Sequence, residues 1–395
     1  MTELNTRVPP AAGTGTGTAR RRTMRFSVDG WDPSYGASLE LEGQLEGQLA
    51  ESTARIDADV EVPAGRWRPV DPDPAGSLPD ALLFVDGVRR VEAQLWIDGD
   101  ALPPSAGEPT AALCASYAAG VVCCCAAGAH LVVTKLRRGL FSVAPHAGDI
   151  RTRAGQYQAH HVRVKRAGAP VMTTLSQALQ GKLAEVEAIA ATEARGEAAL
   201  PASHPPGAHP PGAHQAGAHQ AGMHPPGARQ AGMHPAGAHP ADSASDLLIV
   251  DGPLRGRQHL PRVLGYIKSH HATYLPPELN ALVRALAPGQ RTPVFHMGTS
   301  WDRHSWYLRL PGPAGSPWAG VVRVECAADL PVAEVTRLAG LSQRCLGRFA
   351  SAPYKDSRAP QNLYPIAGLE RELRRRLGDP RLLYRALREA AGPDA

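Results

Sequence analysis

Two segments of the 395-residue chain carry the same chemistry: Ala81-Leu-Leu-Phe-Val-Asp86-Gly87 and Asp246-Leu-Leu-Ile-Val-Asp251-Gly252. Each is an aliphatic run that closes on an aspartate followed by a glycine. A short apolar run bounded by a turn signal reads as a buried strand. A carboxylate at the end of such a strand is costly to bury unless something compensates its charge. If the two strands lie side by side, Asp86 and Asp251 converge at one place on the sheet. Paired carboxylates suit a hard divalent cation, magnesium or manganese, which prefers oxygen ligands.

The elements that must position these residues follow from the pattern along the chain. Residues 1–23 read as a disordered basic tail with Arg20 to Arg22, and ordered sequence is expected from Met24-Arg-Phe-Ser-Val. Strands and one helix, over Leu41 to Ser52, are expected up to about Pro74. Val28-Asp29-Gly30 repeats the tripeptide without the long apolar run, so a turn is expected there. After Asp86 the chain is expected to turn through Gly87-Val-Arg89-Arg90 into a hairpin partner, Val91 to Ile97. Ala111 to Val133 supplies one or two strands. Val171 to Glu197 reads as a helix, with Leu175, Leu179, Leu183, Val186 and Ile189 on one side.

Residues 204–242 hold a recurring pentapeptide, His204-Pro-Pro-Gly-Ala onward to His239-Pro, with seven of the chain's sixteen histidines. Its Pro and Gly content and lack of large apolar residues predict a disordered insert. The pattern thus divides into a tail (1–23), a first part of one domain (24–200), the repeat (201–243) and a second part (244–395). In the second part, Leu260 to His270 and Leu279 to Leu286 are expected as helices. Thr292–Met297, Ser305–Leu310 and Ala319–Cys326 read as strands. Val332–Phe349 and Leu369–Ala391 read as closing helices, the last basic on one side.

Composition bounds the reading. The chain is 43% hydrophobic and 20% charged, as in a soluble globular protein, with a formal net charge of +5 and a pI of about 9.0 that lean weakly toward anionic partners. Cys123, Cys124 and Cys125 are consecutive, and adjacent residues of a strand face opposite ways. That predicts buried, reduced thiols rather than a disulfide framework or a zinc site, and a cytoplasmic protein. No apolar run reaches the roughly 18 residues of a membrane span, and no Walker A loop, GxSxG elbow or Cys-x-x-Cys pair is present.

The predicted order places one acid on the first strand and another on the strand after the long helix. That is the arrangement of an RNase H-like mixed α/β sheet, in which the two strands pair in parallel and a helix glutamate completes the site. Here the helix offers Glu185, Glu187, Glu193 and Glu197, with Glu187 at the border of the aliphatic face and Glu185 as the second choice. Carboxylates holding a metal pair would supply what phosphodiester hydrolysis needs, a deprotonated water and a stabilised leaving oxygen. Arg89, Arg90, Arg255 and Lys268 follow the two aspartates and could face phosphates.

The chain resembles the NurA nucleases. The resemblance rests on Phe84-Val-Asp86-Gly87, the glutamate-bearing helix, Leu-Ile-Val-Asp251-Gly-Pro253-Leu254, Gly265-Tyr-Ile-Lys268, Trp306-Tyr-Leu-Arg-Leu, Val-Arg-Val-Glu325 and Tyr364-Pro365. It implies a metal-dependent exonuclease or single-strand endonuclease acting on DNA ends in repair. It further implies manganese, a homodimer and a HerA-type hexameric ATPase partner. Asp86, Glu187 and Asp251 would be metal ligands, and Tyr364 a late aromatic beside the site. Two positions depart from the family pattern: no histidine follows Tyr364-Pro365 closely, where Glu370 could substitute, and Val88 stands where serine is usual. His296 or His304 could fill the histidine's place in space. The departures motivate an alternative, a catalytically weakened scaffold that binds DNA or the ATPase. A third reading makes the histidine repeat a nickel or zinc binder.

Overall fold

The computed structural model describes residues 24–30, 50–51, 54–74, 76–98, 108–164, 169–197, 246–270, 272–312 and 315–392. The basic tail and the histidine repeat lie outside them, as does all but Ala50 and Glu51 of the helix expected over Leu41–Ser52. Those two residues form a short strand, β2, not a helix.

A mixed sheet of twelve strands forms the body. Its centre is β4 (Ala81–Ile97), β5 (Thr110–Cys125) and β6 (Gly128–Ser142), paired antiparallel in succession. After the 27-residue helix α1 (Val171–Glu197), strand β9 (Asp246–Asp251) pairs with β4 in parallel, Ala81 opposite Asp246 through Val85 opposite Val250. β10 (Val263–Ile267) adds in parallel beyond β9. The order β6-β5-β4-β9-β10 with this connectivity is RNase H-like. The four residues Leu247 to Val250 are fully buried on both faces, as a central parallel strand requires.

Further strands extend both edges. β12 (Phe295–Gly298), β13 (Asp302–Arg309) and β14 (Val321–Ala327) continue beyond β10, and β3 (Arg55–Asp57) closes that edge. β7 (Ile150–Thr152) and β8 (Gly155–His161) close the other, while β1 (Phe26–Val28) pairs with the distal half of β4. β2 pairs with β11 (Ala272–Thr273). Helix α1 covers one face through Leu175, Leu179, Leu183 and Val186. The other face is covered by α3 (Val332–Leu346) and α4 (Tyr364–Arg376), with α2 (Pro277–Ala285) and α5 (Pro380–Ala391) at the flanks. Among the described residues no helix is long and apolar enough to cross a membrane.

Several expectations are corrected. There is no turn after Asp86: β4 runs unbroken for 17 residues, and Asp86 sits inside it. Gly87 is not among the glycines with positive φ, whereas Gly252 is, at 104°. Only the second Asp-Gly pair therefore ends a strand. Gly87 serves close approach instead, since a Cβ there would lie 2.6 Å from Glu187 Oε1 and 2.7 Å from Leu183 Cδ1. Leu260–His270 holds a strand, not a helix, because Val263-Leu-Gly-Tyr-Ile267 is drawn between β9 and β14 and buried on both sides. The closing helix is two. Gly378, at φ 90°, ends α4, and Asp379 caps α5, accepting from the Arg381 and Leu382 amides ahead of Pro380. On α1, Ile189 is half exposed, and Ala190, Ala191 and Ala194 continue the buried face after Val186.

Gly120 pairs directly with Asp86 and lets α4 reach the sheet. A Cβ there would stand 2.9 Å from the Val133 carbonyl oxygen and 3.2 Å from the side chains of Leu369 and Leu373. Gly120→Ala is expected to lift α4 and lower stability by about 1–3 kcal/mol, checked by urea denaturation.

Candidate metal centre

The parallel pairing of β4 and β9 sets Asp86 and Asp251 side by side. By the alternation along both strands, each shares the face of Phe84 and Ile249, the face that packs against α3 and α4. Helix α4 then brings Glu370 to the pair. The carboxylate oxygens of Asp86, Asp251 and Glu370 all lie within 4.8 Å of one another. Helix α4 starts with Pro365 in its first turn and is held by buried Ile366, Leu369 and Leu373, so Glu370 projects from a packed face.

The three groups are not equally satisfied. Asp86 Oδ1 accepts from the Gly87 amide at 2.7 Å, but its Oδ2 is buried and has no hydrogen-bond partner among the described residues. Asp251 receives the Lys268 ammonium at 2.6 Å. Lys268 also donates to Asn362 Oδ1 at 2.8 Å and lies 4.0 Å from Glu370. Glu370 accepts a two-pronged contact from Arg358, at 2.9 and 2.7 Å. Asn362, fully buried, links Lys268 to Asp356.

Burial pushes the Asp86 carboxyl well above the ordinary range, and the neighbouring Asp251 and Glu370 push the same way against Lys268. Burial also raises Asp251, with Lys268 opposing. Burial works against ionised Glu370 too, but the Arg358 fork and Lys268 outweigh it and hold that carboxyl low. The site thus has one carboxylate committed to its charge and two that hold it at a cost. A buried oxygen without a donor, in a cluster of three hard oxygen donors, fits a divalent cation. Asp86, Asp251 and Glu370 are the residues that would hold it.

The sequence-predicted residues divide around this cluster. Glu187 is buried on α1, beside Gly87, and is bound by Arg257, whose Nη1 donates to Oε2 at 3.0 Å. Burial raises its carboxyl, Arg257 opposes, and Asp251 adds to the rise. It flanks the two aspartates without entering the three-carboxylate cluster. Glu185 pairs with Lys182 at 2.7 Å on the solvent side, and Glu193 pairs with Lys135. Arg90 is spent on Glu92 and the Gly378 carbonyl, whereas Arg255 is exposed and Arg89 half-buried. Tyr364 opens α4, partly exposed, with the Lys355 ammonium 5.3 Å from its ring centre. His304 and His296 lie on β13 and β12, three and four strands from β9, and do not approach the carboxylates. His270 follows β10 rather than a helix; its Nε2 meets the Val321 carbonyl oxygen at 2.9 Å.

Arg257, Arg358 and Asn362 escaped the sequence reading, and Glu325 entered it only as part of a motif, with no role. Glu325, on β14, is fully buried. It accepts from the Leu254 amide at 2.8 Å and from Arg323 at 2.9 Å, fixing the loop that follows Asp251. The Val-Arg-Val-Glu325 alternation was the available signal, a charged pair inside an apolar strand. Arg358 and Asn362 carry no local signal.

Because Asp86 and Asp251 bind protons more tightly folded than unfolded, cation-free protein should lose stability as pH rises from the ordinary aspartate range through their raised values. Asp86→Asn keeps the acceptor for the Gly87 amide while removing a buried charge. In EDTA at neutral pH it is expected to gain roughly 1 kcal/mol, read from thermal unfolding. Manganese should raise the melting temperature of the wild type and leave that of Asp86→Asn unmoved.

No protein-family model matches the chain, and no curated protein matches it. Among solved structures, the crystal structure of the NurA nuclease from Sulfolobus solfataricus aligns over 82% of this chain and 88% of that one, with 8% identity and a TM-score of 0.39. A likeness of that size transfers no activity.

Proposed function

We propose that this protein is a divalent-cation-dependent nuclease that hydrolyses phosphodiesters of DNA at strand ends. The observation that carries the reading is the convergence of Asp86, Asp251 and Glu370, with the buried Asp86 Oδ2 lacking a donor among the described residues. When bound, a cation such as manganese or magnesium would activate water and stabilise the departing oxygen of a phosphodiester. Asp86, Asp251 and Glu370 would hold a first ion. Glu187 would serve a second, on release from Arg257, around the same two aspartates.

The remaining residues act on charge and position. Lys268 balances Asp251 and Glu370, and its ammonium is free to turn toward a phosphate once a cation takes over that balance. Arg255 and Arg89 would contact the backbone of the nucleic acid, and Tyr364 would offer a stacking face beside α4. A homodimer working with a HerA-type hexameric ATPase belongs to the same proposal.

One observation favours a second reading. Lys268 and Arg358 already place two cations against the three carboxylates. A cluster so neutralised also suits a catalytically silent scaffold that docks on DNA or on an ATPase.

Degradation of end-labelled single- and double-stranded DNA with manganese, magnesium or EDTA separates the two. The nuclease reading expects cutting only with the cation, abolished by Asp251→Ala and reduced roughly 10- to 100-fold by Glu370→Gln or Glu187→Gln. Undiminished cutting by Asp251→Ala would sink the site. DNA binding without cutting in any metal would leave the scaffold.

A further inference from the structure

A second group of metal-ligating side chains lies away from the carboxylates, at the turn end of the β5–β6 hairpin. Consecutive cysteines alternate across a strand, so Cys124 faces the α3–α4 side while Cys123 and Cys125 share the other. The antiparallel register sets His130 directly opposite Cys123, and therefore on that same face. Cys123 Sγ, Cys125 Sγ and an imidazole nitrogen of His130 lie within 4.8 Å of one another. The alternation that argued against a zinc site among three adjacent cysteines is what brings two of them together with a histidine.

We propose that Cys123, Cys125 and His130 bind a thiophilic d10 cation, with zinc as the physiological candidate. Two thiolates and one imidazole are a soft donor set that suits zinc and disfavours the magnesium or manganese expected at the carboxylates. Three protein ligands leave a fourth tetrahedral position. Asp246, at the adjacent start of β9, does not supply it, because its carboxylate is engaged by Arg195 and Arg262. That position stays open to water or a small thiol. Access exists at the turn itself, where Cys125 and His130 are half-buried and Ala126 to Ala129 are exposed.

The site is separate from the carboxylates. Cys123 pairs with Leu83 and Cys125 with Ala81, whereas Asp86 pairs with Gly120. Three to five residues of strand put the two sites roughly 10–17 Å apart, on opposite faces of the sheet. The inference is therefore independent of the nuclease reading.

Binding exchanges protons for metal. Each cysteine ligates as the thiolate, so its proton leaves as the ion binds. The ion would clamp β5 to β6 beside the point where β9 enters the sheet, at the foot of the α1–β9 connection.

The test uses the full-length chain, a phosphine reductant to keep the thiols reduced, and cobalt as the spectroscopic probe. One equivalent of cobalt should give thiolate-to-metal charge-transfer absorption in the near ultraviolet, displaced by zinc. An ion held by imidazoles of the histidine repeat would give no thiolate band, so a variant lacking residues 204–241 should keep it. Cys125→Ser, at a half-buried position, leaves a single thiolate and should weaken both the band and cobalt binding, and Cys124→Ser should keep both in full. His130→Gln should weaken cobalt binding roughly tenfold or more. Absence of the band in the wild type, its survival at full strength in Cys125→Ser, or its loss on deleting the repeat alone would each overturn the proposal.

Discussion

The structure depends on a desolvated cluster of negative charge that the chain can afford only in part. Parallel pairing of β4 with β9 forces Asp86 and Asp251 together inside a sheet whose flanking residues are fully buried. Lys268 and Arg358 answer two of the three carboxylates, and among the described residues Asp86 Oδ2 is left without a donor. Leaving a buried oxygen unpaired costs on the order of 1–3 kcal/mol. Chains keep such costs where a ligand recovers them, and a hard cation is the ligand these donors suit.

The surrounding architecture serves that cluster from two sides. Helix α4 presses against the sheet over Gly120 and delivers Glu370, while α1 presses over Gly87 and delivers Glu187. Both approaches use a glycine where any Cβ would collide, so the two helices are set close by absence of side chain rather than by flexibility. Behind them, Glu325 fixes the loop after Asp251, and Asn362 ties Lys268 to Asp356. These buried polar links are satisfied groups of the kind that give a core one arrangement.

The same sheet carries two donor sets of opposite character. The carboxylates sit mid-sheet against α4, and the thiols with His130 sit at the turn end against α1. Strand alternation alone separates them onto opposite faces, and their chemistry sorts cations: oxygen donors for hard ions, sulfur and nitrogen for soft ones.

What the sequence determined by itself was local. Two uninterrupted aliphatic runs are enough to name buried strands, and a 3.6-residue repeat of leucines is enough to bound α1 at Val171 and Glu197. Asp86 and Asp251 stood out because a charge beside such a run needs a reason. Tertiary structure decided the rest. Whether Gly87 turned the chain or let a helix approach depended on Glu187, a hundred residues away, and Val263–Ile267 became a strand only because β9 and β14 stood on either side. Glu370 joined the aspartates, and Arg257 took Glu187, through contacts between elements far apart in the chain. His130 met Cys123 through the register of a hairpin that skips a residue between Val121 and Val122. Periodicity records which face a residue shows its own element; which neighbour occupies that face is set by long-range pairing and packing, and those leave no trace in a local pattern.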